Sequence, residues 1–361
     1  MKVLFLTADN VYLTPYLNTY LDILKQTKMD YHVIYWDKNN NEEIIDSRYT
    51  RFFYRKGRYK FWDRINGYRN FKNTIEGIMK NQNFDYVVCL QSVVAVLIYN
   101  SLINCHNKRY VVDIRDYSFE WCWLYRYIEK KLMDHSLLNI ISSPGYKTFL
   151  PSGEYYVLHN IPNDISRYKV EPRKCKGKIV ISYIGLVRFM KQNVKIIDFF
   201  ANDKRFELRF IGTNARSLEQ YCKKNGISNV VLRDTFSPCE ISDIYNETDM
   251  VMNLYGNNTP LLNYAISNKL YFSAIFRKPI LVCEDTYMEA LSSEYGFGFT
   301  MKLEDYREKD SLYNYMKTLN RANLEANCAY FLEDVCREHK LSVEKIEEVL
   351  MNGRCGFGEE L

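Results

Sequence analysis

A chain of 361 residues is too long for one simple hydrophobic core, so its length predicts two domains. Hydrophobic residues make up 47% and charged residues 26% of the chain, a balance that excludes disordered and fibrous proteins. The formal net charge is +5, and the basic excess lies in one segment rather than along a groove-forming stretch, which argues against a nucleic-acid partner.

Cysteine and histidine usage argues against structural zinc and against a disulfide framework, because the ten cysteines form no CxxC pair and the five histidines are isolated. The N-terminus MKVLFLTADN has an apolar run of residues 3–6, which is too short for a signal peptide. The longest apolar run, residues 86–98, is interrupted by Gln91 and Ser92 and is too short to cross a bilayer. These features predict a cytoplasmic protein.

Short apolar strands alternate with amphipathic helices in the first half of the chain. The predicted strands are residues 3–7, 31–35, 86–90, 110–113, 137–141 and 155–158. The predicted helices are residues 13–26, 93–103 and 119–133, with a helical turn near Tyr146. This alternation predicts a parallel, doubly wound sheet with helices on both faces.

A stretch with little periodicity, residues 160–178, contains two prolines and Gly177 and is typical of an interdomain linker. The alternation then resumes with strands at 179–184, 207–211, 230–232, 250–254 and 280–282. Helices are predicted at 193–200, 215–224, 241–246, 267–276 and 287–292, and the chain is helical from 304 onward, including 343–351.

The predicted fold is therefore α/β, with two Rossmann-like doubly wound domains facing a central cleft and ligands at the carboxyl ends of the strands. The predicted boundaries are 1–165 for the first domain, 166–178 for the linker, 179–335 for the second domain and 336–361 for a C-terminal helix.

The second predicted domain opens with a strand that ends in Gly185, followed by Arg188 and Lys191. A glycine there lets the backbone approach a ligand, and two cations at the next helix suit a diphosphate leaving group. The alternative is two solvated surface cations. No G-x-G-x-x-G follows either first strand, which argues against a dinucleotide-dependent dehydrogenase.

Another candidate anion site is the start of the helix that begins at Ser267, Asn268 and Lys269. Free N–H groups and the helix dipole favour a phosphate at such a position. The alternative is an ordinary sheet-covering helix with a polar cap.

In the first half, Asp113, Arg115 and Asp116 follow the strand 110–113. Two carboxylates beside an arginine can orient an acceptor hydroxyl, one of them acting as general base. The alternative is an ion pair that stabilises a loop. Loops at residues 8–10 and 91–92 are predicted to face the same cleft.

Residues 48–72 carry nine Lys/Arg, one acidic residue and nine aromatic residues. This composition is expected at an anionic membrane surface, and the candidate contacts are Arg55, Lys56, Arg58, Lys60 and Trp62. The alternative is a solvated, partly packed loop and helix.

Taken in order, these motifs resemble those of GT-B glycosyltransferases, in particular the family 4-like enzymes of bacterial capsule, O-antigen and exopolysaccharide synthesis. The resemblance rests on the Asp113–Asp116 strand end, Ile141-Ser142-Ser143 with its following helix, Val157-Leu158-His159-Asn160, Tyr183-Ile184-Gly185 with Lys191, Phe210-Ile211-Gly212, and Ser267-Asn268-Lys269-Leu270-Tyr271 with Lys278-Pro279-Ile280. The resemblance covers nearly the whole chain and implies that the C-terminal helix crosses back to the first domain.

The resemblance implies transfer of a sugar from a nucleotide-diphosphate sugar to a hydroxyl of a polyprenyl-linked or oligosaccharide acceptor, with retention and without a metal or other cofactor. The second domain would bind the donor, with Gly185, Arg188, Lys191, Ser267, Asn268 and Lys269 at the diphosphate and Gly212, Thr213, Asn214 and Leu270 at the nucleotide. The first domain would bind the acceptor, with residues 48–72 on the inner face of the cell membrane.

The chain departs from the family where a glutamate–seven residues–glutamate motif is common, because those positions hold Tyr264 and Phe272. The family's glycine-rich first loop is replaced by Ala8-Asp9-Asn10. An alternative is therefore a catalytically degenerate GT-B protein that binds a nucleotide sugar or glycan and regulates a partner. A sugar-nucleotide epimerase fits less well, because no set of acids and histidines can be assembled for it.

Overall fold

The computed structural model describes residues 1–42, 46–55, 60–162, 164–171 and 177–352, apart from the side chains of residues 60, 61 and 352. The chain divides into two compact units. The first comprises Met1–Asn160 together with the chain from Arg337 onward, and the second comprises Ile161–Cys336.

The first unit is built on a parallel sheet of seven strands. They are β1 (Lys2–Thr7), β2 (Asp30–Trp36), β3 (Tyr49–Phe52), β4 (Tyr86–Cys89), β5 (Tyr110–Ile114), β6 (Leu138–Ile141) and β7 (Tyr156–Val157), in the order β3-β2-β1-β4-β5-β6-β7. The helices are Leu17–Thr27, Lys60–Asn81, Ser92–Leu97, Tyr99–Cys105 and Trp123–His135, with 3-10 turns at Val11–Leu13 and Pro144–Thr148.

The second unit is built on a parallel sheet of six strands. They are β8 (Ile179–Ile184), β9 (Phe206–Ile211), β10 (Val230–Arg233), β11 (Met250–Asn253), β12 (Ile280–Val282) and β13 (Gly298–Thr300), in the order β10-β9-β8-β11-β12-β13. The helices are Met190–Phe200, Glu219–Lys224, Ile241–Asn246, Pro260–Tyr264, Asn268–Ile275, Tyr287–Glu294 and Glu308–Thr318, with 3-10 turns at Ala215–Leu218 and Pro238–Glu240.

Both sheets have the doubly wound strand order, and this confirms the predicted α/β class with two Rossmann-like units. In each unit the order reverses beside the first strand, between β1 and β4 and between β8 and β11. The central strands are buried along nearly their whole length, as expected of parallel strands covered on both faces. Ligands of such sheets bind beyond the carboxyl ends of the strands at the point of reversal.

The last helix, Arg321–Asn352, belongs to both units. Leu324, Cys328 and Phe331 pack in the core of the second unit, whereas Ile346 and Leu350 pack in the core of the first. Ser342 Oγ also donates a hydrogen bond of 2.7 Å to the carbonyl oxygen of Val157, on β7. The expected return of the C-terminal helix to the first unit is therefore confirmed.

Part of the basic and aromatic segment, residues 48–72, packs into the first unit and does not lie on its surface. Residues 49–52 form β3 at the edge of the first sheet, and Phe71, on the helix Lys60–Asn81, is completely buried. Rings of Phe52, Tyr68 and Phe71 surround Trp36 at centroid distances of 5.1–5.4 Å. The sequence interpretation placed these rings at a membrane surface, whereas Phe71 is completely buried and Phe52 and Tyr68 are half-buried against Trp36.

The predicted linker also contains packed residues. Ile165, Tyr168 and Val170 pack against the hydrophobic core of the second unit, while residues 163 and 172–176 lie outside the described chain. No helix among the described residues is both long and apolar enough to cross a membrane.

Candidate functional site

Two glycines bring the ends of β8 and β9 into close contact. Gly185 follows β8 with φ of +114°, and Gly212 follows β9 with φ of +136°. A Cβ atom on Gly212 would lie 2.1 Å from the carbonyl oxygen of Gly185, so no side chain fits at that position. Glycine at position 212 therefore allows the two strand ends to pack this closely.

The loop after β8 is held by the Tyr183 hydroxyl. This hydroxyl donates to the carbonyl oxygen of Leu186 at 2.9 Å and accepts from the Arg188 amide at 3.3 Å. The Val187 amide donates to the carbonyl oxygen of Thr213 at 2.9 Å. These bonds fix the backbone from which the exposed Arg188 side chain extends.

The helix Met190–Phe200 begins beside this loop, after Phe189 in the left-handed conformation with φ of 59°. No side chain caps its N-terminus among the described residues. Lys191 lies in its first turn and is exposed. Uncapped N–H groups, the helix dipole and two cations together favour an anion here.

The helix Asn268–Ile275 begins as the sequence predicts, with Ser267 as its N-cap accepting a hydrogen bond from the Lys269 amide at 3.3 Å. Lys269 is only 6% exposed. Its ammonium group donates to the Tyr255 hydroxyl and lies 4.2 Å from the centroid of the Tyr183 ring.

The pKa of Lys269 is lowered from 10.5 to about 8. Burial is the largest cause, Tyr183 acts in the opposite direction, and the nearby Arg188 adds to the lowering. No carboxylate in the described part of the chain forms an ion pair with Lys269 or Arg188. Two cations that approach one another without an acidic partner are stabilised by an incoming anion.

The residues predicted to contact the nucleotide separate into two groups. Gly212, Thr213 and Asn214 form the turn after β9, and the side chains of Thr213 and Asn214 are exposed. Leu270 is completely buried in the core of the second unit, so its side chain cannot line a nucleotide site and we remove it from the candidate set. Asn268 is exposed beside Lys269.

Phe272, where the resemblance predicts a ribose-binding glutamate, belongs to an aromatic cluster. Its ring stacks on Tyr245 at a centroid distance of 5.4 Å and meets Tyr168 edge-on at 5.5 Å. A glutamate at this position would place its carboxylate among aromatic rings, whereas the phenylalanine packs favourably against them.

In the first unit, Asp113 and Arg115 form a buried ion pair at the end of β5. Arg115 Nε lies 2.6 Å from Asp113 Oδ1, and Tyr20 donates to Asp113 Oδ2 at 2.7 Å. Arg115 also donates to the carbonyl oxygen of Leu158 and to Asn160 Oδ1, at 2.8 and 3.0 Å. With no exposed surface on Asp113, both residues tie the ends of β5 and β7 together and neither is placed to receive a substrate proton.

Asp116 differs from this pair because it is exposed and lines a cavity of 220 Å³. The cavity lies beyond the carboxyl ends of β1, β4 and β5. Its lining residues are Ala8, Asp9, Lys38, Arg64, Tyr68, Gln91, Ser92, Val93, Arg115, Asp116, Tyr117, Ser118 and Phe119. Hydroxyl, carboxylate and amide groups beside aromatic rings are suited to a sugar.

Asp9 is positioned in this cavity by two partners. Lys38 Nζ lies 2.7 Å from Asp9 Oδ1, and Gln91 Nε2 donates to Asp9 Oδ2 at 2.7 Å. The side-chain oxygen Oε1 of Gln91 accepts from the Ala8 amide at 3.0 Å. The loops 8–10 and 91–92 therefore meet, as their places in the sequence indicate. The contributions of Arg64 and Tyr68 depend on the helix Lys60–Asn81, which the sequence did not show.

Of the predicted membrane contacts, Arg55 is exposed and Trp62 is 62% exposed. Lys56 and Arg58 lie outside the described residues, as does the side chain of Lys60. Within the described chain, no group of three or more His, Cys, Asp or Glu side chains is placed to hold a metal ion.

Comparison with solved structures identifies the fold as that of GT-B glycosyltransferases. Sucrose-phosphate synthase from Thermosynechococcus elongatus is 9% identical, with a TM-score of 0.71 over 98% of this chain and 100% of that chain. The lipopolysaccharide outer core galactosyltransferase WaaB is 12% identical, with a TM-score of 0.64 over 98% and 99%. Anabaena HepE in complex with UDP and glucose is 12% identical, with a TM-score of 0.67 over 96% and 100%.

No protein-family model matches the sequence, and no curated protein matches it. At these identities the likeness to solved structures establishes the GT-B fold, and function has to be argued from the site.

Proposed function

We propose that the protein is a glycosyltransferase that moves a sugar from a nucleotide-diphosphate sugar to a hydroxyl group. The observation that carries the proposal is the pair of cations Arg188 and Lys269, which lack an acidic partner among the described residues and lie where the strand order reverses in the second unit. A departing nucleoside diphosphate needs positive charge and N–H donors at this point. The HepE structures with UDP and UDP-glucose support a nucleotide-sugar donor.

The acceptor would bind in the cavity of the first unit, with Asp116 and Asp9 as the candidate hydroxyl acceptors or general base. We propose a polyprenyl-linked or oligosaccharide acceptor in bacterial surface polysaccharide synthesis, at the inner face of the cell membrane. Transfer with retention and without a metal is part of the same proposal.

The test is transfer or hydrolysis with a panel of nucleotide sugars, comparing the wild type with Lys191→Ala. Loss of one charge-assisted contact of about 1.5–3 kcal/mol predicts a tenfold to hundredfold loss of kcat/KM. Lys195→Ala is the matched control, because Lys195 is exposed one turn further along the same helix. Equal activity of Lys191→Ala and the control would contradict the diphosphate site.

A second candidate, a binding protein without turnover, is favoured by Phe272 at the expected glutamate position. Nucleotide-sugar binding with neither transfer nor hydrolysis for any acceptor would support it.

A further inference from the structure

Tryptophan placement in the first unit is unusual. The chain has four tryptophans, and Trp36 is buried. The other three, Trp62, Trp121 and Trp123, are 62%, 75% and 77% exposed. Large aromatic side chains exposed in this way mark a surface that is covered by a partner.

The exposed rings extend along one face of the helix Trp123–His135. Leu124 and Tyr127 are also exposed, and Trp123 and Tyr127 lie one helical turn apart. Beyond them the same face carries exposed Lys130 and Lys131. We call Trp121, Trp123, Leu124 and Tyr127 the aromatic surface.

The exposed charge around the aromatic surface is positive because the acidic residues of this region face inward. Glu120 and Glu129 are buried, at 4% and 1% exposure. Arg126, Lys130 and Lys131 are exposed. Asp134 is the one exposed acid between residues 119 and 135, and it pairs with Lys130 at 3.1 Å, which leaves two cations in excess. The outer face therefore presents aromatic rings followed by cations.

The aromatic surface adjoins the helix Lys60–Asn81. The Arg64 guanidinium lies 5.2 Å from the centroid of the Phe119 ring, two residues before Trp121. Arg64 and Phe119 both line the cavity of the first unit. Trp62 and Ile65, 62% and 43% exposed, flank Arg64 on its helix.

We propose that the aromatic surface, together with Trp62 and Ile65, docks the first unit on an anionic lipid bilayer. Indole and phenol rings take up the headgroup level of a bilayer, and adjacent lysines and arginines are attracted to anionic headgroups. Protein-binding surfaces are depleted of lysine, whereas Lys130 and Lys131 border the rings here. Docking in this orientation places the cavity beside the headgroups, where a lipid-linked acceptor would be presented.

Membrane docking rests on the proposed function only in that it would bring the first unit to a lipid-linked acceptor. Vesicle binding is measured without donor or acceptor, so it can fail while sugar transfer is observed, and the reverse. The experiment is co-sedimentation of the full chain with phosphatidylcholine vesicles containing 30% phosphatidylglycerol, with intrinsic tryptophan fluorescence as a second readout. The wild type is expected to sediment with these vesicles, with a blue shift in emission. Binding should weaken with added salt and without phosphatidylglycerol.

Trp121→Ser/Trp123→Ser is expected to lose at least tenfold in vesicle affinity and most of the blue shift. Both side chains are largely exposed, so the double variant should unfold at the wild-type temperature. Tyr330→Ser is the control, since Tyr330 is 60% exposed in the second unit. Wild type that ignores anionic vesicles, or a double variant that binds them as well as the wild type, would overturn the proposal. Binding of a soluble oligosaccharide through Trp121 and Trp123 without vesicle binding would assign the surface to a glycan instead.

Discussion

At the scale of single residues, the candidate donor site is organised by one buried lysine. Lys269 is enclosed by Tyr183 and Tyr255 and is one of the charged side chains that the core of a protein rarely accepts. Its lowered pKa records the cost of holding the ammonium group without a carboxylate. A diphosphate would relieve that cost, and binding would then favour the protonated amine.

Glu129 shows the opposite effect in the first unit. Burial and the neighbouring Glu120 raise the pKa of Glu129 from 4.5 to about 8, so the folded protein holds a proton there at neutral pH. Tyr125 and Ser92, which share a hydrogen bond of 2.8 Å, lie in the same buried region, and Ser92 reaches the acceptor cavity.

We expect Glu129→Gln to change how stability depends on pH. The unfolded chain releases the Glu129 proton near pH 4.5 and the folded chain keeps it to about pH 8, so the folded wild type loses stability as the pH rises between these values. The slope is at most about 1.4 kcal/mol per pH unit. Glutamine does not titrate, and therefore the variant should gain stability relative to the wild type from pH 5 to pH 8.

Thermal unfolding of both proteins across this range measures the effect. Glu120 is retained in both, so its own titration is largely shared by the two curves. Unfolding temperatures that run parallel from pH 5 to pH 8 would show that Glu129 is already ionised in the folded state.

At the scale of elements, the contact between the ends of β8 and β9 fixes the donor-side loop. Gly212→Ala would place an alanine at a φ of +136°, with its Cβ atom 2.1 Å from the Gly185 carbonyl oxygen. Backbone strain alone costs about 1–3 kcal/mol, and the overlap adds to it because the opposing atoms are backbone. We expect a large loss of thermal stability and of nucleotide binding.

Gly226→Ala provides the comparison, because Gly226 also has positive φ, +61°, but a Cβ atom there meets nothing within 4 Å. It should lose less stability and keep nucleotide binding. If Gly212→Ala is no less stable than Gly226→Ala, the two strand ends are not held in contact as described.

Elements with a regular apolar pattern could be predicted from the sequence, whereas elements whose apolar pattern is interrupted by charged residues could not. Strands such as 179–184 and the helix beginning at Ser267 were predicted within a residue or two of their observed bounds. β3 and the helix Lys60–Asn81 were missed, since basic residues interrupt their apolar pattern and the rings that stabilise them pack on the distant Trp36. Such long-range packing has no local signature.

The candidate site divides in the same way. Arg188 follows the end of β8, and Lys269 lies in the first turn of a helix with a polar N-cap, so both could be found from the sequence. The burial of Asp113 and Leu270 could not, because it depends on Tyr20 and on core packing. The exposure of Trp121 and Trp123 could not be predicted either, because it depends on which face of the helix is turned outward.

At the scale of the whole molecule, the same fold is found in proteins with very different sequences. Neighbours at 9–12% identity share the architecture along almost the entire chain. Doubly wound sheets require apolar strands and covering helices, and many sequences meet that requirement. The central claim is therefore the anion site and not the fold, because the fold alone supports many chemistries.

The most direct test of that claim is thermal unfolding with nucleoside diphosphates for the wild type and Lys269→Met, at pH 7. A ligand at a hundred times its Kd stabilises the folded state by about 2.7 kcal/mol, so at least one nucleoside diphosphate should raise the wild-type Tm, and the matching nucleoside should not.

Lys269→Met should unfold at a higher temperature than the wild type without ligand, because it removes a buried charge. That difference should be largest below pH 8 and should shrink as the pH rises from 8 to 10.5, the interval between the folded and ordinary pKa of Lys269. The account predicts that this more stable variant shows little or no shift with the diphosphate. A wild type that no nucleoside diphosphate stabilises, or a Lys269→Met variant that is stabilised as much as the wild type, would contradict it.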